Sequence, residues 1–444
     1  MGRKTWRVVA IAMAGALVAG ASMLAWLNPR LTRYIESDPF RAKLEQETAK
    51  GLHFSGGNYA PIKRTSFLTA TSAEFQAQNG RKAMRSMNAR GITAKFNPFG
   101  VFLRRWQLDE VRIQSGQVGI QTYTPQPEPS PAKPWYHIVL PERVYLKRVE
   151  SEPVDVTWRF RDKPAGFFGT RLLITPHGGD FNYQATGGMM KMALMPDLHL
   201  RQTQMLITKK SLTLYHLDLA PNPQSDGAIH VEGKAGTGDD RSVDCKIDIK
   251  RVPIEQWLPP SWKEHFTGSA TGNVHWTGKN PKLEASSGNG ELHLSDAKID
   301  NLPFLEKLAT LTQKKSLAHL RLNECGLDLK WSYPKIDISN IAIEEKGKFR
   351  IAGKIDIEQK SLGGEIELGV AREYLDWLPK ADGIFTRERD GYLWTTVHLS
   401  GTIDQPQQDL SPRIMEMIKE NPAVALALFF RQIGDALKHA FGEE

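Results

Sequence analysis

Residues 335–370 read KIDISNIAIEEKGKFRIAGKIDIEQKSLGGEIELGV. Apolar side chains recur at every second position in much of this stretch, and charged residues occupy most positions between them. The alternating sets are Ile336/Ile338, Phe349/Ile351, Ile355/Ile357 and Ile366/Leu368/Val370. A period of two predicts β-strands with one apolar and one polar face, which is typical of an antiparallel sheet covered on a single side.

The same alternation extends over most of the chain in both directions. It recurs at Val111/Ile113, Val118/Ile120, Val154/Val156/Trp158/Phe160 and Leu212/Leu214. Helical patterns are few: a short helix over residues 302–317 and single turns over residues 254–258 and 374–378. We therefore predict a body that is mostly β, with hairpin-like connections between consecutive strands.

The N-terminus has the pattern of a membrane anchor. Residues 8–27 carry no charge and follow Arg3, Lys4 and Arg7. As a helix they would be roughly 30 Å long, enough to cross a bilayer once. The preceding cations place the N-terminus in the cytoplasm and the remaining chain across the membrane. A cleaved signal peptide is the alternative, because Ala19-Gly20-Ala21 fits a cleavage site.

These patterns divide the chain into six predicted segments. They are a cytoplasmic flank with the anchor (1–30), a helical linker (31–50), a β segment (51–124), a Pro-rich loop (125–135), a β-sheet (136–410) and a helical tail (411–444). The apolar part of the tail is too short to span a membrane. We expect it to cap the apolar side of the sheet; an interfacial membrane helix is the alternative.

Composition excludes several classes of protein. Only Cys245 and Cys325 are present, so neither a disulfide-dense scaffold nor a cysteine-rich metal site is expected. The net charge of +8 at pH 7 is spread along the chain, which argues against nucleic-acid binding and suits contact with anionic lipid headgroups. The Gly-Lys pairs at 233, 278 and 353 lack the spacing of a phosphate-binding loop and are interpreted as turns. No catalytic, cofactor or metal site is predicted.

Five passages share the pattern of one protein family. They are residues 48–56 (TAKGLHFSG), 89–99 (ARGITAKFNPF), 106–113 (WQLDEVRI), 288–303 (GNGELHLSDAKIDNLP) and 399–406 (LSGTIDQP). In these passages the chain resembles the AsmA-like family of Gram-negative envelope proteins, which is related to bridge-like lipid transfer proteins. The Pro-rich loop and the helical tail have no counterpart in that pattern.

The resemblance implies a single-pass inner-membrane anchor that carries an elongated, curled antiparallel sheet in the periplasm. Such a sheet would form a groove that holds or transfers phospholipid and supports outer-membrane lipid homeostasis, without enzymatic activity. Envelope protein partners or a homo-oligomer are expected, and nucleic acid is not. The alternative is a structural or regulatory factor in outer-membrane assembly that acts through contacts alone; a hydrolase is a third possibility.

The alternating apolar residues are the candidates for the groove lining. They are Val111, Ile113, Val118, Ile120, Ile247, Ile249, Leu292, Leu294, Ile336, Ile338, Phe349, Ile351, Ile366 and Leu368. The same residues fit the closed core of a two-sheet sandwich equally well on pattern alone. The resemblance favours the groove.

Overall fold

The computed structural model describes most of the chain from residue 28 to residue 418. The described residues are 28–80, 84–97, 99–100, 105–121, 143–160, 163–177, 180–192, 195–208, 210–236, 241–258, 260–279, 285–301, 305–306, 309, 314–376, 378, 381–403 and 405–418. The predicted anchor, the Pro-rich loop and residues 419–444 of the tail lie outside them. Among these residues no helix combines the length and apolar character needed to cross a membrane.

The prediction of a mostly β protein with a large sheet and few helices is confirmed. The chain forms two compact units, residues 1–194 with 202–208 and residues 195–201 with 209–444. The boundary falls within strand β12.

The first unit begins with helical residues and strands that pack on them. Residues 28–35 are helical, and helix α1 spans Asp38–Leu52. The strands are β1 (Phe54–Tyr59), β2 (Ile62–Arg64), β3 (Thr69–Gly80), β4 (Met84–Asn97), β5 (Arg105–Ile120), β6 (Arg143–Leu146), β7 (Val149–Ser151), β8 (Val154–Phe160), β9 (Lys163–His177), β10 (Asp180–Thr186), β11 (Met189–Lys191) and β12 (Leu198–Ile207).

The predicted linker helix over residues 31–50 is interrupted at Ser37. Its side-chain hydroxyl accepts a hydrogen bond from the Phe40 backbone N–H at 3.3 Å and so caps the N-terminus of α1. A cap of this kind separates two helices where the charge pattern alone suggested one. Phe40 then packs with Ile62 and Ala70 from the strands.

Strand β5 departs from the predicted antiparallel pattern. It pairs antiparallel with β4 but parallel with β6, β7 and β8, so that Arg143 lies beside Arg105. The start of β6 is therefore roughly 50 Å from the end of β5 along the strand direction. A parallel neighbour needs a long return connection instead of a tight turn, and the Pro-rich sequence between these strands is the longest such connection in the unit.

The second unit is an up-and-down meander. Its strands are β13 (Ser211–Ala220), β14 (Ala228–Gly236), β15 (Val243–Pro253), β16 (Phe266–Gly278), β17 (Ser286–Asp300), β18 (His319–Arg321), β19 (Glu324–Ser332), β20 (Lys335–Glu345), β21 (Phe349–Glu358), β22 (Ser361–Ala371), β23 (Arg387–Arg389), β24 (Tyr392–Thr402) and β25 (Gln405–Gln408). Consecutive long strands pair antiparallel; β18 lies beside β17, and β23 beside β24.

The connections at the two ends of these strands differ. At one end, which we call the hairpin end, consecutive strands are separated by residues 237–242, 279–285, 333–334, 359–360 and 403–404. At the other, which we call the covered end, most connections are longer: residues 221–227, 254–265, 301–323, 346–348 and 372–391. The longer connections contain α2 (Pro260–Lys263) and the 3-10 turns Ile254–Gln256, Lys315–Leu317, Arg372–Tyr374 and Ala381–Gly383.

Several local predictions for this unit can be compared with the structure. The turn at residue 254 is confirmed, and the second predicted turn begins two residues early, at Arg372. Of residues 302–317, those at 305, 306 and 309 are helical and the last three form a 3-10 turn. The described part of the tail is α3 (Leu410–Ile418).

The interpretation of Gly233-Lys234 and Gly353-Lys354 as turns is wrong. Both pairs lie inside strands, β14 and β21, and only the pair at 278 lies at a strand end. Cross-strand pairing on both sides outweighs the local preference of glycine for turns.

Candidate functional site

One face of the second unit is apolar across its full width. Strand register places a single unbroken row on this face: Leu217, Val231, Ile247, Val274, Gly290, Leu329, Ile338, Ile355, Gly364 and Leu399, from β13 to β24. Directly paired residues in antiparallel strands point to the same side. We call this side the apolar face.

The opposite side carries a row of polar residues in the same register. From β14 to β22 the row reads Glu232, Lys246, His275, Asn289, Lys330, Asp337, Asp356 and Gly363. The Lys335 ammonium lies 2.7 Å from Asp337 and 3.8 Å from Asp356, and it lowers the pKa of Asp337 by hydrogen bonding. This side is therefore suited to water, and the sheet has two chemically distinct faces.

The structure brings the candidates from the second unit together on the apolar face. They are Ile247, Ile249, Leu292, Leu294, Ile336, Ile338, Phe349, Ile351, Ile366 and Leu368. Every one of them is half-buried, and none belongs to the fully buried core. A face at this level of exposure is neither the interior of a closed sandwich nor a fully open surface.

The remaining candidates lie in β5 of the first unit. Val111 pairs with Ala94 of β4, Ile113 with Ile92 and Val118 with Met87. These candidates are half-buried, and Ile120 is 36% exposed. Val111, Ile113 and Val118 thus each have an apolar cross-strand partner in β4.

β-Bulges keep the apolar face in phase. In β15 an extra residue falls between Ile249 and Val252, and Arg251 adopts a positive φ of 47°. Asp296 in β17 (φ 54°) and Asn340 in β20 (φ 50°) do the same. A strict period of two would place the next apolar residue on the opposite side of the sheet. The extra residue at each bulge returns it to the apolar face. Two consecutive polar residues between apolar ones, such as Ser339-Asn340, are the sequence signal that strand counting missed.

Near the covered end, the connections lie on the apolar face and bury it. Leu375, Leu378, Ile384 and Phe385 pack with Leu393 of β24 and with Ile414 of α3. Leu368 and Val370 contribute the adjoining part of the face. A second cluster, Leu305, Ala309, Leu317 and Leu320, packs against Ile299 and Phe349. The prediction that the tail caps the apolar side agrees with the position of Ile414, the described tail residue in this core.

Near the hairpin end, two tryptophans flank a glycine on the apolar face. Trp276 of β16 and Trp331 of β19 each pair with Gly288 of β17. A side chain at Gly288 would overlap the Trp331 ring, so the indole lies directly over the glycine. Both indole Nε1 atoms are shielded from solvent and have no hydrogen-bond partner among the described residues. Sequence reasoning missed this pair because only strand register brings the two rings to one glycine.

The cysteines also lie on the apolar face. Cys245 pairs with Trp276 near the hairpin end, and Cys325 pairs with Ile343 toward the covered end. Both thiols are free and half-buried. Burial raises the pKa of each thiol, and the neighbouring Asp244 carboxylate adds to the effect at Cys245. The higher pKa keeps the thiols protonated and poorly nucleophilic.

The strand histidines make ordinary hydrogen bonds on the polar side. His230 Nδ1 lies 2.5 Å from Asp218 Oδ1, and His275 Nε2 lies 2.8 Å from Asp244 Oδ1. Within the part of the chain that the structure describes, no group of three or more His, Cys, Asp or Glu residues could hold a metal ion. What the arrangement offers chemically is a large apolar surface with two indole N–H donors at one margin, for which the described part of the chain supplies no acceptor.

No family model, no curated protein and no solved structure matches the chain.

Proposed function

We propose that the protein holds or transfers phospholipid on the apolar face of its second unit, as an inner-membrane-anchored protein of the periplasm. The observation that carries the proposal is the row of apolar side chains that continues from β13 to β24 and stays half-buried. Apolar surface of this extent is rarely left bare to water on a monomeric protein, and acyl chains would cover it.

The location and the wider role are proposed from the sequence. The uncharged N-terminal stretch after three cations supports an inner-membrane anchor, and the resemblance to AsmA-like proteins supports a part in outer-membrane lipid homeostasis. In this proposal the protein acts by binding, without covalent chemistry, and its partners are membrane lipids together with envelope proteins or further copies of the chain.

Site-specific photocrosslinking in the full-length chain tests the proposal. A benzophenone amino acid is placed in cells at position 292, on the apolar face, or at position 289, on the polar face of the same strand. Leu292 pairs with Leu327, and Asn289 with Lys330, so the two probes differ in face and lie three residues, roughly 10 Å, apart along β17. We expect phospholipid adducts by mass spectrometry at position 292 and few at position 289.

Positions 338 and 337 repeat the comparison in β20, with Ile338 on the apolar face and Asp337 on the polar face. Equal or absent lipid adducts at the two faces in both strands would overturn the proposal. Protein adducts confined to the apolar face would instead favour the structural or regulatory factor.

A further inference from the structure

The margin of the apolar face near the hairpin end contains two indole N–H donors, one from Trp276 and one from Trp331. The indole Nε1 atoms of Trp276 and Trp331 are shielded from solvent and have no partner within the described residues. An indole N–H can only donate, and leaving it unpaired away from water is unfavourable. Two such donors on one row, each beside Gly288, call for a common explanation.

The surroundings of the pair specify the chemistry of an acceptor. On the strands themselves the face is apolar, with Val274 and Leu329 one step further along from the tryptophans. Beyond the strand end lies the exposed, cationic Lys279. The donors therefore sit where an apolar surface meets a charged margin, which is the position tryptophan takes at membrane interfaces.

We propose that Trp276 and Trp331 form a subsite for the ester carbonyls of a diacyl glycerophospholipid. This inference rests on the proposed function. The acyl chains lie along the apolar face, and the phosphate-bearing headgroup points to the charged margin at the hairpin end. An uncharged N–H donor suits a carbonyl oxygen, whereas a phosphate favours a cation such as Lys279.

Access to the donors requires only a small movement. The Trp276 and Trp331 side chains are half-buried, so part of each ring is open although Nε1 is shielded. The terminal torsion of a tryptophan is broad and allows the ring to turn. The Trp331 ring lies over Gly288 of β17, the strand between the two tryptophans. Because glycine has no side chain, none from that position blocks rotation of the ring.

A lipid pair that differs only in its carbonyls tests the subsite. The full-length protein is offered an equimolar mixture of a diester phosphatidylethanolamine and the diether analogue with the same headgroup and chain length. Bound lipids are counted by native mass spectrometry. One hydrogen bond changes binding by about fivefold, so the wild-type protein should prefer the diester by about fivefold to 25-fold.

Substitutions assign the preference to the two rings. Trp276→Phe and Trp331→Phe keep an aromatic ring and remove the N–H; each should reduce the diester preference by about fivefold and leave diether binding nearly unchanged. Trp257→Phe is the matched control, since Trp257 is 39% exposed at the covered end. It should leave the preference unaltered.

The outcomes separate the subsite from the wider proposal. Equal binding of the two lipids to the wild-type protein, or a preference that survives both substitutions, overturns the subsite and leaves lipid binding intact. Binding of neither lipid overturns the proposed function and the subsite together. The wild-type ratio needs no variant, so the test holds even if a substituted protein folds poorly.

Discussion

The two ends of the strands in the second unit differ although one alternating pattern runs through both. At the covered end Leu393 is 5% exposed beneath Leu375, Leu378 and Phe385. In the same strand and on the same face, Leu399 near the hairpin end is half-buried. The strands supply an identical kind of surface at both ends; the irregular connections decide which part becomes core and which part remains available to a ligand.

The largest expected effect is on the free energy of unfolding, when a leucine of β24 is replaced by alanine at the covered end or at the hairpin end. Leu393→Ala should destabilise the protein by about 3 kcal/mol, because it leaves a cavity among buried side chains. Leu399→Ala should cost about 1 kcal/mol, since less area leaves water there on folding. Chemical unfolding of the two variants measures the difference. Equal losses would show that the two ends are covered alike.

Two tyrosine hydroxyls, one at each end of the strands, should differ in their contribution to stability by a smaller amount. Tyr392, at the covered end, donates to Glu344 Oε1 at 2.9 Å and accepts from the Gly347 backbone N–H at 2.8 Å. Tyr392→Phe should therefore cost about 1–2 kcal/mol. Tyr333, at the hairpin end, is 51% exposed, and Tyr333→Phe should change stability by less than about 0.5 kcal/mol. A thermal unfolding series on both variants checks the contrast.

Alkaline pH should weaken the covered end first. Burial, together with Glu344, raises the pKa of Tyr392 above 10.0. The folded state then holds the proton more tightly than the unfolded state, so this contribution is intact below pH 10 and is lost as the pH rises further. Unfolding measured against pH should show a shallower alkaline decline for Tyr392→Phe than for the wild-type protein. Parallel curves would contradict the prediction.

The smallest effect concerns the two thiols. Because burial raises both pKa values, iodoacetamide at neutral pH should alkylate Cys245 and Cys325 several-fold more slowly in the native protein than in urea. Bound phospholipid should protect Cys245, beside Trp276, more than Cys325. Peptide mass spectrometry resolves the two sites, and a Cys245 rate that is the same with and without lipid would count against lipid contact at the hairpin end.

Sequence reasoning recovered the strands where alternation is strong, as in Ile336/Ile338 and Ile366/Leu368, because a period of two reports directly on a two-faced strand. It placed Gly353-Lys354 in a turn because local turn chemistry carries no information on pairing with β20 and β22. Within each alternating run the apolar face was predictable residue by residue, but its continuation across the bulges at Arg251, Asp296 and Asn340 was not. The Trp276–Gly288–Trp331 arrangement was not, since it depends on the register of three strands, and neither was the parallel partner of β5.

Among the described strands of the second unit, each long strand pairs with its nearest long neighbours along the chain. Contacts that are local in sequence close small loops, which favours rapid, stepwise formation of the sheet. The same locality makes growth modular: duplicating one hairpin would widen the apolar face by roughly 10 Å and leave every other pairing unchanged. The extent of the apolar face is thus set by the number of hairpins encoded, and a gene could lengthen or shorten the face by internal duplication or deletion alone.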